Sequence, residues 1–384
     1  MLNSVDLFSG IGGFAMALRD IAKPLLYCDS APHVRAHLHS MACDGRLPDA
    51  PIVNDVRDID AILSYVGSRH VHVVTGGFPC IGFSHAGGRK GLDNGASSLF
   101  HDMMKVVRIL KPDIVFMENV VEVLTANEGR DYKTILSEFS RCGYTIRWTT
   151  VSAVYVGAPH TRNRWFCMCI RNNARLSVLT YKNNQVGSWK TKFPSPIVRK
   201  SPENRVRITM LGNALVPAAA RLAFARLYSG FEIKTLTDLE SKSIIAWNNM
   251  VAGKMVSAIP RHGGSHGTAF IAASLPRVVP RTMRITLDPK HYSTNQEYQK
   301  NSLRVPSPLV KKPITKSLFP TPRASLATHG HVLSERTVRD LPTFVMYMSN
   351  MEGHRFTKTC DKDSINPKFV EWLMGFPPGH TELR

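Results

Sequence analysis

Few side chains in this chain stand where they could do covalent chemistry, and the first of them is a cysteine. Gly76-Gly77-Phe78-Pro79-Cys80, continuing as Ile81-Gly82-Phe83-Ser84, follows the apolar run Val71–Thr75, which reads as a buried parallel strand. Cys80 therefore lies at the carboxyl end of a strand, where open α/β sheets hold their ligands. Pro79 restricts the backbone just before the thiol, and Gly82 frees it just after. The glycine-rich stretch from Gly82 to Gly95 leads away and suits a movable cover. A second strand candidate, Asp113–Met117, delivers Glu118-Asn119 to the same edge of the sheet. A carboxylate at the end of a central strand is costly without a partner, so this dipeptide reads as part of a site. Arg162 and Arg164 precede the strand candidate Trp165–Ile170 and share one face of an extended segment. They read either as guanidinium contacts to a base or phosphate, or as a surface pair.

The elements that must position these groups alternate strand and helix. Asn3–Phe8 reads as a short strand and Ser9-Gly10-Ile11-Gly12-Gly13 as a glycine turn. Phe14–Arg19 starts an apolar-faced helix, and Leu25–Cys28 is the next strand, ending at Asp29. That order describes the nucleotide half of a doubly wound sheet. Gly10, Gly12 and Gly13 let a ligand approach the backbone, and Asp29 can take both ribose hydroxyls; taken alone, the glycines also fit an ordinary tight turn. Asp55, after Ile52-Val53, is either a contact to an adenine amino group or a surface acid. Phe8 either stacks on the adenine or fills the core. The turn has no Lys-Ser/Thr ending and no basic residue, so it holds a pyrophosphate poorly. An adenosine ligand without one fits better, and S-adenosylmethionine is the obvious choice. Further on come a helix over Ser98–Leu110, a mostly helical Leu124–Cys142 and a strand over Tyr144–Val151. Order resumes at Val206–Leu211, followed by Gly212-Asn213-Ala214 and a long helix over Leu215–Leu227.

Composition narrows the partner. The 384 residues carry a formal net charge of +20, and the charge is unevenly placed. From Phe139 to Pro202 there are eleven Lys or Arg and no carboxylate; Ser241–Leu287 and Tyr298–Ser334 each hold six and none. Blocks of this kind attract a polyanion. Cysteine is sparse, with seven in all, and no pair has metal-ligand spacing. Cys167 and Cys169 alternate along a strand and read as packing rather than zinc ligands. No signal peptide opens the chain and no long uncharged apolar run crosses it, so a soluble, reducing compartment is expected.

A thiolate beside a carboxyl group and a methyl donor has few uses. A hydrolase would want a histidine base beside the thiol, and His85 and His160 are the only near candidates. Methylation of an amine needs no covalent step. Carbon 5 of cytosine is different, because it is a poor nucleophile until something adds at C6. A thiolate adding there, while a neutral carboxyl group hydrogen-bonds N3, makes C5 an enamine carbon. Arg162 or Arg164 could help lower the thiol's pKa from its ordinary value of about 8.5. Such a base reaches a pocket only when flipped from its duplex, which gives the Gly82–Gly95 cover and the basic regions their uses.

On these residues the sequence resembles the DNA (cytosine-5) methyltransferase family. Asp6-Leu7-Phe8-Ser9-Gly10-Ile11-Gly12-Gly13 is similar to its cofactor motif, Pro79-Cys80 to its nucleophile motif and Glu118-Asn119-Val120 to its acid motif. Arg162-Asn163-Arg164 resembles its arginine motif, and Gly212-Asn213-Ala214-Leu215-Val216 its late Gly-Asn motif, which folds back beside the cofactor. The resemblance implies a Rossmann-like class I methyltransferase sheet with a second, smaller, irregular target-recognition domain. It implies that Cys80 attacks C6, Glu118 engages N3 and the exocyclic amine, and Arg164 contacts O2, with Arg162 and Asn119 alongside. Phe8, Gly10, Gly12, Gly13, Asp29, Asp55, Pro79, Asn213 and Ala214 would hold S-adenosylmethionine, and no metal is implied.

The sequence departs from the family at three points. Ile81 stands where the family usually has Gln, and His160-Thr161 stands where it usually has Gln before the arginine pair. The long variable region follows the Gly-Asn motif instead of preceding it, and Leu373-Met374-Gly375-Phe376-Pro377 resembles the Gly-Phe-Pro segment normally found upstream. The expected organisation is a catalytic domain over 1–230 with a basic excursion at 172–204, a target-recognition domain over 231–365, and a tail, 366–384, returning to the catalytic domain or hinge. The expected partner is double-stranded DNA methylated at a specific sequence, with no membrane, by an enzyme acting as a monomer. A restriction endonuclease would be a genetic partner only. A tRNA cytosine-5 methyltransferase on the same framework and a non-catalytic DNA-binding relative are the alternatives. The expected location is the cytoplasm in a bacterial or phage setting, and the nucleus or cytoplasm in a eukaryotic host or its virus.

Overall fold

The computed structural model describes residues 1–79, 99–174, 189, 194–229, 283–285, 322 and 363–382. Cys80, Ile81, the Gly82–Gly95 stretch and most of 231–362 lie outside the described residues.

Among the described residues one eight-stranded sheet organises the chain. Strands β1 (Leu2–Leu7), β2 (Ala22–Cys28), β3 (Ile52–Val53), β4 (Val73–Gly76) and β5 (Ile114–Val120) run parallel. Helices α1 (Gly13–Ala17), α2 (Pro32–Cys43), α3 (Ile59–Val66) and α4 (Leu99–Leu110) lie between them in sequence. After helix α5 (Arg130–Arg141) come β6 (Tyr144–Ser152) and β7 (Asn163–Arg171). The β7 strand inserts between β5 and β6, antiparallel to both, and β9 (Met283–Ile285) joins the edge, giving the order β3-β2-β1-β4-β5-β7-β6-β9. The order reverses direction between β1 and β4, the switch point at which doubly wound sheets bind ligands. This is the Rossmann-like sheet of class I methyltransferases expected from the sequence.

Both faces of the sheet are covered, so its strands read as near-continuous apolar runs. Along β5, Val115 and Met117 face one apolar layer with Phe100, Met103 and Phe139, while Ile114 and Phe116 face the other with Phe14 and Phe224. Cys167 and Cys169 point together into the first layer beside Trp165, their sulfurs 3.8 Å apart, and burial pushes the Cys169 thiol up.

The second apolar layer is completed by late sequence. Helix α6 (Pro202–Asn213) begins where Ser201 caps it by accepting from the Asn204 N–H and Pro202 takes the first turn. Order therefore begins a full turn earlier than Val206. Ala214 is extended, and α7 (Pro217–Ser229) then packs on α1, β6 and β7. Pro202–Tyr228 is apolar enough by length and composition to cross a membrane, but 83% of its most apolar 18 residues are buried and form part of the core. Strand β8 (Ile197–Arg199) pairs with β10 (Asp363–Ile365), and α8 (Pro367–Met374) lies against α6.

Candidate active site

The carboxyl edge of the parallel strands collects most of the residues singled out from the sequence. At the end of β1 the chain turns through Phe8, Gly10 and Gly12, all with positive φ (53°, 52° and 78°). A non-glycine residue there is uncommon, and Phe8 holds the conformation half-buried. A side chain on Gly12 would strike Leu47, and one on Gly13 would strike Leu215 of the Gly-Asn motif. A side chain on Gly10 would meet nothing within 4 Å among the described residues. Asp29, at the end of β2, accepts the Gly10 N–H through Oδ2 and the Ala31 N–H through Oδ1, both at 3.0 Å. Each oxygen keeps a second lone pair for a hydroxyl group. Asp55 is engaged in a bidentate pair with Arg57, with Nη2 2.6 Å from Oδ2, so a nucleobase amino group would share that carboxylate.

Below the turn, Asp6 is 1% exposed. Its Oδ1 accepts the Thr75 hydroxyl at 2.6 Å, and Oδ2 has no hydrogen-bond partner among the described residues. Burial raises its pKa to about 7 against the Thr75 hydrogen bond, and the charge of Asp29 adds to the rise. A glycine turn, a carboxylate at the second strand with lone pairs to spare and no cation in the turn fit a nucleoside without phosphates. S-adenosylmethionine meets that description.

Glu118 and Arg164 meet at the end of β5. Antiparallel pairing sets Val120 opposite Arg164, and Arg164 Nε lies 2.9 Å from Glu118 Oε1. Burial raises the Glu118 pKa although Arg164 and Arg162 pull it down, so the carboxyl group is inclined to keep its proton. A Cβ on Gly77 would lie 3.5 Å from Glu118 Oε2, which brings the carboxyl group beside the strand end leading into Pro79 and Cys80. Asn119, 2% exposed, donates from Nδ2 to the Phe78 carbonyl at 3.2 Å and accepts the Val120 N–H. It ties β5 to the backbone two residues before Cys80.

Arg162 goes elsewhere. It lies before β7 starts, so strand alternation does not place it with Arg164. Its guanidinium donates to the carbonyls of Gly212 (2.9 Å), Ala214 (2.6 Å) and Pro322 (2.7 Å), fastening the Gly-Asn motif to the sheet. Ala214 is buried there, while Asn213 is exposed. His160 is fully buried, and Nε2 donates to the Leu373 carbonyl at 2.9 Å, as does Trp189 Nε1 at 3.1 Å. Burial lowers the His160 pKa to about 3, so it is a neutral tether and not a base.

Sequence reasoning passed over the residues that seat the last segment. Glu371, fully buried, accepts four hydrogen bonds: from Arg207 Nη2 (3.1 Å), the Thr381 N–H (2.7 Å), the Thr381 hydroxyl (2.5 Å) and the Gly379 N–H (2.6 Å). Arg46 donates to the Gly379 carbonyl, and His380 Nε2 donates to the carbonyl of Ile11 in the glycine turn at 2.9 Å. The only sequence signal for this was the acid at Glu371 inside an apolar helix face, which asks for a buried partner.

A doubly wound sheet with an inserted antiparallel strand and a phosphate-free nucleoside site is the framework of an S-adenosylmethionine-dependent methyltransferase. The family profile of C-5 cytosine-specific DNA methylases matches residues 2–249. The chain belongs to that family, and its activity is the transfer of a methyl group from S-adenosylmethionine to carbon 5 of cytosine in DNA. It is 28% identical over 381 residues to the type II methyltransferase M.CviJI of Paramecium bursaria Chlorella virus IL3A, covering 97% of this chain and 96% of the relative. That alignment runs on past the Gly-Asn motif, so the relative carries matching sequence on the same side of it. Two type II methyltransferases of Haemophilus parahaemolyticus match over about half their length. M1.HphI is 34% identical over 42% of this chain and 44% of its own, and M.HhaI is 28% identical over 46% and 51%.

Proposed function

We propose that the chain methylates cytosine at one short sequence in double-stranded DNA, through a covalent bond between Cys80 and C6 of a flipped base. The observation that carries this reading is the half-buried Glu118–Arg164 pair beside the strand end that runs into Cys80. Glu118, held toward its protonated form, donates to N3, and Arg164 donates to O2. Both withdraw electrons from the ring and make C6 open to the thiolate. Formation of the S–C6 bond moves the electron pair of the C5–C6 double bond to C5. Phe8, Asp29 and the Gly10–Gly13 turn hold the cofactor, which supplies an electrophilic methyl group when bound. With C5 methylated, a water molecule takes the C5 proton, the C5–H electron pair re-forms the C5–C6 double bond, and the S–C6 bond breaks to return Cys80 as the thiolate. Asn119 keeps the Cys80 strand end against β5, and Arg162 keeps the Gly-Asn motif in place.

In this reading residues 231–365 recognise the target sequence, the enzyme works as a monomer, and a restriction endonuclease is its genetic partner. The test is trapping on a duplex with 5-fluorocytosine, whose C5 substituent cannot leave as a proton. With S-adenosylmethionine present, wild type forms an adduct that survives denaturation and Cys80→Ser forms none. Wild type that binds the duplex but gives no adduct overturns the covalent reading.

A further inference from the structure

We propose that His380 is a positioning residue for cofactor binding, its Nε2–H holding the Ile11 carbonyl and with it the Ser9–Gly13 turn. The proposal rests on the reading that this turn receives S-adenosylmethionine. Ile11 sits between two left-handed glycines, Gly10 and Gly12, in the part of the chain with the widest choice of backbone conformations. The turn has its own anchors where it leaves β1. The Gly10 N–H is held by Asp29, and the Ser9 hydroxyl donates to the Asp6 carbonyl at 2.7 Å. The peptide between the two glycines is held on its N–H side within the turn, where Gly12 donates to the Ser9 carbonyl at 3.0 Å, and on its carbonyl side from outside, by a residue 369 positions away in the sequence.

The donor is itself firmly placed. His380 is fully buried and stacks on Phe376 with ring centroids 4.6 Å apart. The ring of His37, on α2, meets it edge-on at 5.3 Å. Its backbone N–H donates to the Pro377 carbonyl at 3.0 Å, and both neighbours are fixed: Gly379 by Glu371 and Arg46, Thr381 by Glu371. Burial lowers the His380 pKa to about 3, so the ring is neutral, and the bond to Ile11 puts its single proton on Nε2. Arg46 precedes Leu47, whose side chain limits the space at Gly12. The C-terminal segment thus braces the turn from beneath at two neighbouring points. That segment continues directly from residues 231–362 in the sequence.

The experiment is calorimetric titration of the full chain with S-adenosylhomocysteine, in wild type, His380→Phe and His380→Gln. Phenylalanine keeps the stack on Phe376 and lacks the donor, whereas glutamine carries an N–H to about the place Nε2 occupied. His380→Phe should bind about tenfold more weakly, the order of one buried hydrogen bond left unmade. His380→Gln should stay within about threefold of wild type by the same reasoning, and both variants should bind duplex DNA as wild type does. Equal affinity of wild type and His380→Phe overturns the proposal. So does a glutamine variant as weak as the phenylalanine one, or a parallel loss of duplex binding, either of which marks a purely structural role. Failure of wild type itself to bind S-adenosylhomocysteine overturns the reading of the turn as the cofactor site.

Discussion

Asp6 makes stability depend on pH in a direction opposite to that of most carboxylates. In the folded chain its pKa rises from the ordinary 3.8 to about 7, chiefly through burial. Between those values the native state holds a proton that the unfolded state has released. Unfolding there releases a proton, so stability falls as pH rises through the window and the contribution is lost above about pH 7. The shift is about three pH units, each about 1.4 kcal/mol. Integrated between about pH 5 and pH 8, it amounts to roughly 3 kcal/mol, a substantial part of the stability of an ordinary domain. Asp6→Asn removes the titration while leaving an oxygen to accept from Thr75. Urea unfolding of cofactor-free wild type and Asp6→Asn across that range isolates the effect as the difference between two slopes, since every other group titrates in both proteins. Wild type should lose about 3 kcal/mol more than the variant on going from the lower to the higher pH. Parallel profiles, or wild type gaining on the variant as pH rises, would show that Asp6 is ionised in the native chain and would sink the argument.

Other substitutions separate chemistry from scaffolding. Glu118→Gln should lower methyl transfer to duplex DNA by about 10²- to 10⁴-fold, the usual worth of a positioned proton donor, with S-adenosylhomocysteine affinity unchanged by calorimetry. Arg162→Lys cannot reach three carbonyls at once and should cost about 2 kcal/mol in urea unfolding, whereas Arg164→Lys should spare stability and slow single-turnover methylation. Glu371→Ala leaves Arg207 buried beside a lost partner and should cost about 3–5 kcal/mol, read as a lowered urea midpoint. An unchanged midpoint would mean the tail is not part of the folded core.

The sheet was legible because its strands are buried on both faces, and runs such as Val71–Thr75 and Asp113–Met117 carry that signature without help from distant sequence. The glycine turn, Asp29 and Glu118-Asn119 were legible for a related reason: each sits at the end of such a run, and the chain direction fixes which edge it reaches. Arg162 was harder. Spacing of two residues implies a shared face only inside a strand, and β7 begins one residue later, so its guanidinium turns toward the Gly-Asn motif. Leu124–Cys142 reads as mostly helical, and α5 fills most of it, but its first part is a 3₁₀ turn, Ala126–Gly129, in which Asn127, Glu128 and Gly129 all adopt positive φ before α5 begins. Asn127 donates to both carboxylate oxygens of Asp131 there, a local bond that competes with continuing the helix. The roles of Glu371 and His380 were not legible, because their partners come from Arg207 and Ile11 and nothing local announces the pairing.

The union of β8 with β10, and of α6 with α8, has a consequence for how the protein is made. Strands β1 to β7 and their first helices leave the ribosome early and can pair as they emerge. The layer that covers α6 and braces the glycine turn arrives only with residues 363–382, after residues 231–362 have been made. Domains generally fold in the order of synthesis, and here the catalytic half must wait, unfinished, for residues 363–382. A nascent chain can therefore pair β1 to β7 before the segment that brings His380 to the glycine turn has been made.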